Sequence, residues 1–173
     1  DEMAMSVWED PGAASRRARR VDAAAALGLA LFLMVGTYFA SQGQPARRPF
    51  DAGTVVLLLA AAGALAFRRR WPVGVLWFVF GVVLTYVALN YAAGPIWLTL
   101  VISSFTAVVE GHLWAAVTAA AVGFVIFPWL DYVLRDRPAP PIANLVGLAA
   151  WLLVILGAGL IFRTRRERIA EAA

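Results

Sequence analysis

The chain holds one histidine, and it stands two residues from a glutamate in Glu110-Gly111-His112. One imidazole and one carboxylate fall short of the three or four protein ligands that a zinc or other transition-metal site uses. The tripeptide therefore reads as a solvated turn between two helices, with a pH-responsive role for His112 as the functional alternative. There is no cysteine, so disulfides, thiolate metal sites and thiol nucleophiles are excluded. The other carboxylates near apolar runs are Asp22, Asp51, Asp131 and Asp136. Asp22 and Asp51 each precede an apolar run, where a carboxylate can cap free backbone amides and meet the positive end of the helix dipole. Asp51 with Arg47 and Arg48, and Asp131 and Asp136 with Arg135 and Arg137, read as ordinary surface ion pairs. Their functional alternative is a site for a charged ligand. Asp51, Glu110, His112 and Asp131 are thus the candidate sensing positions, and no catalytic, cofactor or metal set emerges.

The elements that must hold these residues are set by composition. At 62% hydrophobic and 15% charged residues, with a mean hydropathy of +0.75, the chain is far more apolar than a soluble domain, which averages about 25% charged. It reads as an all-α, multi-pass membrane protein. Charge-free intervals predict six transmembrane helices near 23–40, 52–67, 73–89, 96–109, 113–130 and 142–162. The breaks have local causes: Gln42-Gly43-Gln44-Pro45, the Arg68 to Pro72 turn, Asn90 to Pro95, and Pro138, Pro140 and Pro141. The second and fourth runs are short for a bilayer, and the fourth could be re-entrant.

All 15 basic residues are arginine. On the six-span map eleven fall on one side and four, Arg47, Arg48, Arg135 and Arg137, on the other. The positive-inside rule then puts both termini in the cytoplasm. It also explains the sequence pI of about 10.3 without nucleic acid as a partner; the expected partner is the lipid bilayer. Residues 1–20 read as a cytoplasmic tail, with Asp1-Glu2 a vector remnant and 1–15 disordered, 21–162 as the membrane domain and 163–173 as a cytoplasmic exit helix. No charge is predicted at a helix centre, which argues against a proton-coupled pump. Polar groups inside the spans, among them Thr37, Thr85, Tyr86, Ser103 and Thr106, are expected to bond between helices or back to their own helix. Ala115, Ala119 and Gly123 repeat every four residues and permit close helix approach, within or between subunits.

The sixth helix is the informative one. Leu148, Ile155, Phe162 and Ile169 repeat at seven, and no glycine or proline follows Gly159, so one rigid helix can carry a stripe from the membrane into water. Phe162, Arg165 and Ile169 are the candidate transmission residues.

The arginine-rich start, the Ala66-Phe67-Arg68-Arg69-Arg70-Trp71-Pro72-Val73 turn and the 163–173 exit resemble the membrane region of sensor histidine kinases of the nitrate-sensor-like class in high-GC bacteria. The resemblance covers roughly 16–173. It implies a homodimeric signal-input and anchoring domain in a bacterial cell membrane. That domain would be coupled through its last helix to a kinase core, and through the core to a response regulator. The chain has no phosphoacceptor histidine after Arg163 and no ATP-binding motif, so ATP and Mg would belong to a core outside it, and no catalytic residue carries over. The alternative is a self-contained small membrane protein, a transporter subunit or scaffold.

Overall fold

The computed structural model describes residues 11–171, with side chains from Arg20 to Arg165 and that of Arg168. Six helices follow in order: α1 (Pro11–Gln42), α2 (Ala52–Leu65), α3 (Pro72–Ala88), α4 (Trp97–Val109), α5 (Leu113–Arg135) and α6 (Ile142–Glu171). Among the described residues the only β feature is an isolated parallel bridge between Arg48 and Tyr91. Successive helices run in alternating directions, so the connections gather at two ends. At one, Arg47 reaches Asp131 at 2.8 Å; at the other, Arg69 reaches Asp22 at 3.8 Å, and a methyl built on Gly111 would sit 3.9 Å from Arg163 Nη1.

Length and burial are inversely related. Three helices, within α1, α5 and α6, are long and apolar enough to cross a membrane, which gives the chain its membrane-helix character. α2, α3 and α4 have 14, 17 and 13 residues, about 21, 26 and 20 Å at 1.5 Å per residue. These short helices carry most of the core. α3 buries residues from Val75 to Tyr86 and packs on α2, α4 and α5. Leu33, Leu58, Leu65, Val79, Val83 and Ile96 form one cluster, and Leu76, Phe80, Ala107, Val108, Ala116 and Ala119 a second.

In lipid such clusters gain little from leaving water, because acyl chains are as apolar as leucine; close packing through small residues decides. Four glycines show it. A methyl on Gly36 would lie 2.8 Å from Pro95 Cγ, on Gly94 2.7 Å from Thr37 Oγ1, on Gly123 3.3 Å from Phe80 and on Gly159 2.9 Å from Val108. Ala119 and Gly123 therefore serve the α3–α5 contact inside one chain. Three helix hydroxyls behave as expected: Thr85, Ser103 and Thr106 donate to the carbonyls of Gly81, Leu100 and Ile102 on their own helices, whereas the buried Thr37 Oγ1 makes no hydrogen bond among the described residues. The Tyr86 hydroxyl donates to Ala92 O at 2.8 Å.

α6 is the most apolar of the long helices, yet only 6% of its span window is buried. It leans on α4 through Gly159 against Val108 and Phe162 against Phe105, with ring centroids 5.8 Å apart.

Two boundaries differ from expectation. α1 starts at Pro11, within the segment expected to be disordered, because proline's fixed φ suits a first helical turn. Asp22 consequently lies inside α1 and caps nothing; it faces Arg69 instead. α5 continues through Pro128 to Arg135, so Asp131 is a helical residue rather than a loop one.

Candidate functional site

The connections at the Asp131 end build a polar platform from four segments. The α1–α2 loop supplies Gln44, whose amide closes a two-way clasp on the α3–α4 loop: Nε2 donates to Ala93 O and Ala93 N donates to Oε1, both at 3.0 Å. Next to it Arg48 N donates to Asn90 O at 2.8 Å. Asn90 adopts a φ of 64°, a left-handed conformation that asparagine tolerates better than most residues. The turn this permits sends the Asn90 side chain toward Arg47, whose Nη1 donates to Asn90 Oδ1 at 3.1 Å.

Asp51 caps α2 as the sequence predicts. Its Oδ1 accepts from Thr54 N at 3.0 Å, and the Thr54 hydroxyl returns toward Asp51 N, completing a capping box. The same carboxylate also accepts from the Tyr91 hydroxyl at 2.8 Å and from Arg48 Nε at 3.0 Å. The Arg48 guanidinium stands 4.9 Å above the Tyr91 ring. The Thr54 amide, then the Tyr91 hydroxyl, hold the Asp51 carboxyl below the usual carboxylate range. Burial first, then the Asp51 acceptor, pushes the Tyr91 phenol up.

Asp131 is the hub. Arg47, Arg135 and Arg137 converge on its two oxygens, Arg47 at 2.8 Å, Arg137 at 3.4 Å and Arg135 in close contact. Arg135 also reaches across to α3, where Nη2 donates to the carbonyls of Val87 and Ala88 at 2.9 and 2.7 Å. These carbonyls lie in the last turn of α3, where a cation meets the negative end of the helix dipole. Asp136 takes the left-handed cap position of α5 at φ 51°. Three guanidinium groups around one carboxylate leave positive charge in excess.

Beneath the platform lies a cavity of about 500 Å³ between α3, α4, α5 and α6. Its walls are apolar, with Trp97, Phe124, Phe127, Leu148 and Leu152 among them, while Arg47, Tyr91, Asp131 and Asn144 stand at the platform end. Trp97 meets Phe127 edge-on at 4.8 Å. Pro128 lies in the same wall and has no amide hydrogen for the Phe124 carbonyl one turn earlier.

Of the four candidate sensing residues the fold brings Asp51 and Asp131 to this end. Glu110 and His112 lie at the opposite end, in the exposed α4–α5 turn with Gly111 at φ +91°. Phe162 packs on Phe105, Arg165 is exposed, and the Ile169 side chain lies outside the described residues. Sequence reasoning missed Gln44, Asn90 and Tyr91 as platform residues; the signal available was polar side chains flanking Gly43, Pro45 and Pro95 in short loops. Among the described residues no three His, Asp or Glu side chains come together as a metal site.

Residues 12–166 match the family model described as Domain of unknown function (DUF7134), and the chain belongs to that family. No curated protein and no solved structure matches the chain.

Proposed function

We propose that this member of the DUF7134 family is a membrane-embedded signal-input and anchoring domain. On this reading all six helices cross the bilayer, the arginine-rich end and both termini face the cytoplasm, and the Asp131 platform faces outward. The short helices α2 to α4 are tolerated because each packs on at least three neighbouring helices. The domain acts as a homodimer in a bacterial cell membrane, and α6 passes the signal to a histidine-kinase core, as the sequence resemblance implies.

The observation that carries the reading is α6 itself. It is one 30-residue helix, about 45 Å long, that forms a wall of the cavity at Asn144 and Leu148 and continues past Arg163 without a break. Its main seam is with α4, and a stimulus that favours one packing of that seam over another would move the exit. Phe162 and Arg165 mark where the movement leaves the membrane.

The chain has no cysteine, so introduced ones report cleanly. With a membrane-impermeant maleimide on intact cells, Asp136→Cys is expected to label and Arg69→Cys to stay silent. Equal labelling would sink the orientation. A nitroxide pair at His112→Cys and Arg165→Cys then reads the α6 exit against the α4–α5 turn; a distance unmoved under every stimulus would sink transmission through α6. The reading frame beyond the Ala173 codon tests the kinase itself, since a stop codon there would end that part of the proposal.

A further inference from the structure

The cavity beneath the platform has one polar end and one apolar end, and its shape restricts what can enter. On α6 its lining runs from Asn144 to Leu156 and on α5 from Ala119 to Asp131, each a rise of about 18 Å. An elongated apolar lining with one polar end suits an amphiphile, its tail against the walls and its headgroup at the platform.

The polar end has a sign. Arg47, Arg135 and Arg137 surround the single carboxylate of Asp131, while Arg48 is matched by Asp51. The hub is thus two positive charges in excess; exposed Asp136 reduces this to one for the whole end. Arg47 is held from two sides, by Asn90 and Asp131, and still has guanidinium hydrogens to donate. The first turn of α6, with Pro140 and Asn144 in the lining, brings the positive end of a long helix dipole to the same place. A cationic headgroup would meet these charges repulsively.

We infer that the cavity binds an anionic amphiphile, its tail along Phe124, Leu148 and Leu152 and its carboxylate or phosphate at Arg47. The inference rests on the signal-input reading only for its consequence, the movement of α6; the site stands on geometry and charge alone. The headgroup can come from a free long-chain carboxylate or from a lysolipid phosphate, and both present the same chemistry.

The test uses the full chain in nanodiscs of phosphatidylcholine and a diazirine-bearing palmitate as photoprobe, with labelled peptides mapped. Labelling is expected on α5 and α6 at lining positions, with palmitate or lysophosphatidylglycerol competing at least ten-fold more strongly than methyl palmitate or lysophosphatidylcholine. Competition by palmitate alone supports the site and assigns the free carboxylate; competition by the lysolipid alone supports it and assigns the lipid. Equal competition by the neutral or zwitterionic compounds, or labelling spread evenly over the lipid-facing sides of α1 and α6, overturns it. Arg47→Gln is expected to lose the preference for anions, and Ala120→Leu, which fills the cavity from its wall, to lose labelling while the melting profile is kept. Either variant, if folded, overturns the inference by labelling as the parent does. The nitroxide pair at His112→Cys and Arg165→Cys separates the two proposals. Specific labelling with no distance change keeps the site and ends the coupling, and a distance change equal for palmitate and its methyl ester keeps the coupling and ends the ligand class.

Discussion

Arginine crowds both ends of the bundle, but the two ends use it differently. At the Asp131 end Arg47 and Arg135 fold onto partners, with side chains 21% and 15% exposed, and tie four chain segments together. At the other end Arg69 is 69% exposed and stands 3.8 Å from Asp22, and Arg70 is exposed too. Of the arginines described, those at the Asp131 end are thus the more tightly held; at the other end Arg68 donates to the Leu65 carbonyl of its own turn at 3.1 Å.

Removing the central carboxylate should separate the two ends most. Asp131→Ala strands three partly buried guanidinium groups, and we expect a loss of about 3 kcal/mol, the low end for breaking a buried ion pair. Arg69→Ala should stay within about 0.5 kcal/mol, as exposed pairs do. Thermal or denaturant unfolding in detergent measures both, and similar losses would erase the distinction. Backbone packing offers a second contrast. A methyl at Gly94 would lie 2.7 Å from Thr37 Oγ1 and 3.2 Å from Thr37 Cα, whereas at Gly74 the nearest atom is 3.8 Å away. Gly94→Ala should lose about 2 kcal/mol by overpacking. Gly74→Ala, in the first turns of α3, should be neutral or gain up to about 1 kcal/mol from helix propensity. A well-tolerated Gly94→Ala would show that the platform loops give way, and the rigidity of that end would be in doubt.

How much of this was legible in the sequence follows from range. Charge-free runs and Pro/Gly breaks marked six helices, and the ends of α2, α3 and α4 came within two residues because turns and caps are local: Asp51 with Thr54 is a three-residue motif. The starts and ends decided by tertiary contacts were less legible. α5 runs on through Pro128 because Arg135 is held by α3 carbonyls 47 and 48 residues away. Asp22 looked like a cap because it precedes an apolar run, and only the upstream turn of α1 shows otherwise. The platform was half legible. Its charges stood out, but the convergence of three arginines on Asp131 depends on Arg47, 84 residues away in sequence, and the cavity depends on the placement of α6 against α4 and α5, which no local pattern encodes.

The smallest effect tests the platform's second hub, Asp51 with Tyr91. The Tyr91 side chain is 3% exposed, and Tyr91→Phe should lose about 1 kcal/mol with its hydrogen bond. The pair also gives this end a pH signature. The Asp51 pKa is lowered from 3.8, so the folded state favours the carboxylate; that contribution is whole above about 3.8 and is lost as pH falls through the depressed value. The Tyr91 pKa is raised from 10.0, so the folded state favours the neutral phenol; its contribution is whole below about 10 and is lost as pH rises toward the elevated value. Unfolding temperatures should thus hold level between these limits and drop at both. Asp51→Asn, which keeps a capping side chain, should shrink the acid drop, of which loss of the Asp131 ion pairs supplies a further part, and Tyr91→Phe should shrink the alkaline one. If both variants keep both drops at full size, the pH limits belong to other groups and Asp51 serves α2 only as a cap. If each variant shrinks its own limb, the α2 cap and the α3–α4 loop are one electrostatic unit. Arg48, which pairs with Asp51 and stands over Tyr91, would then link that unit to neighbouring Arg47 at the cavity mouth.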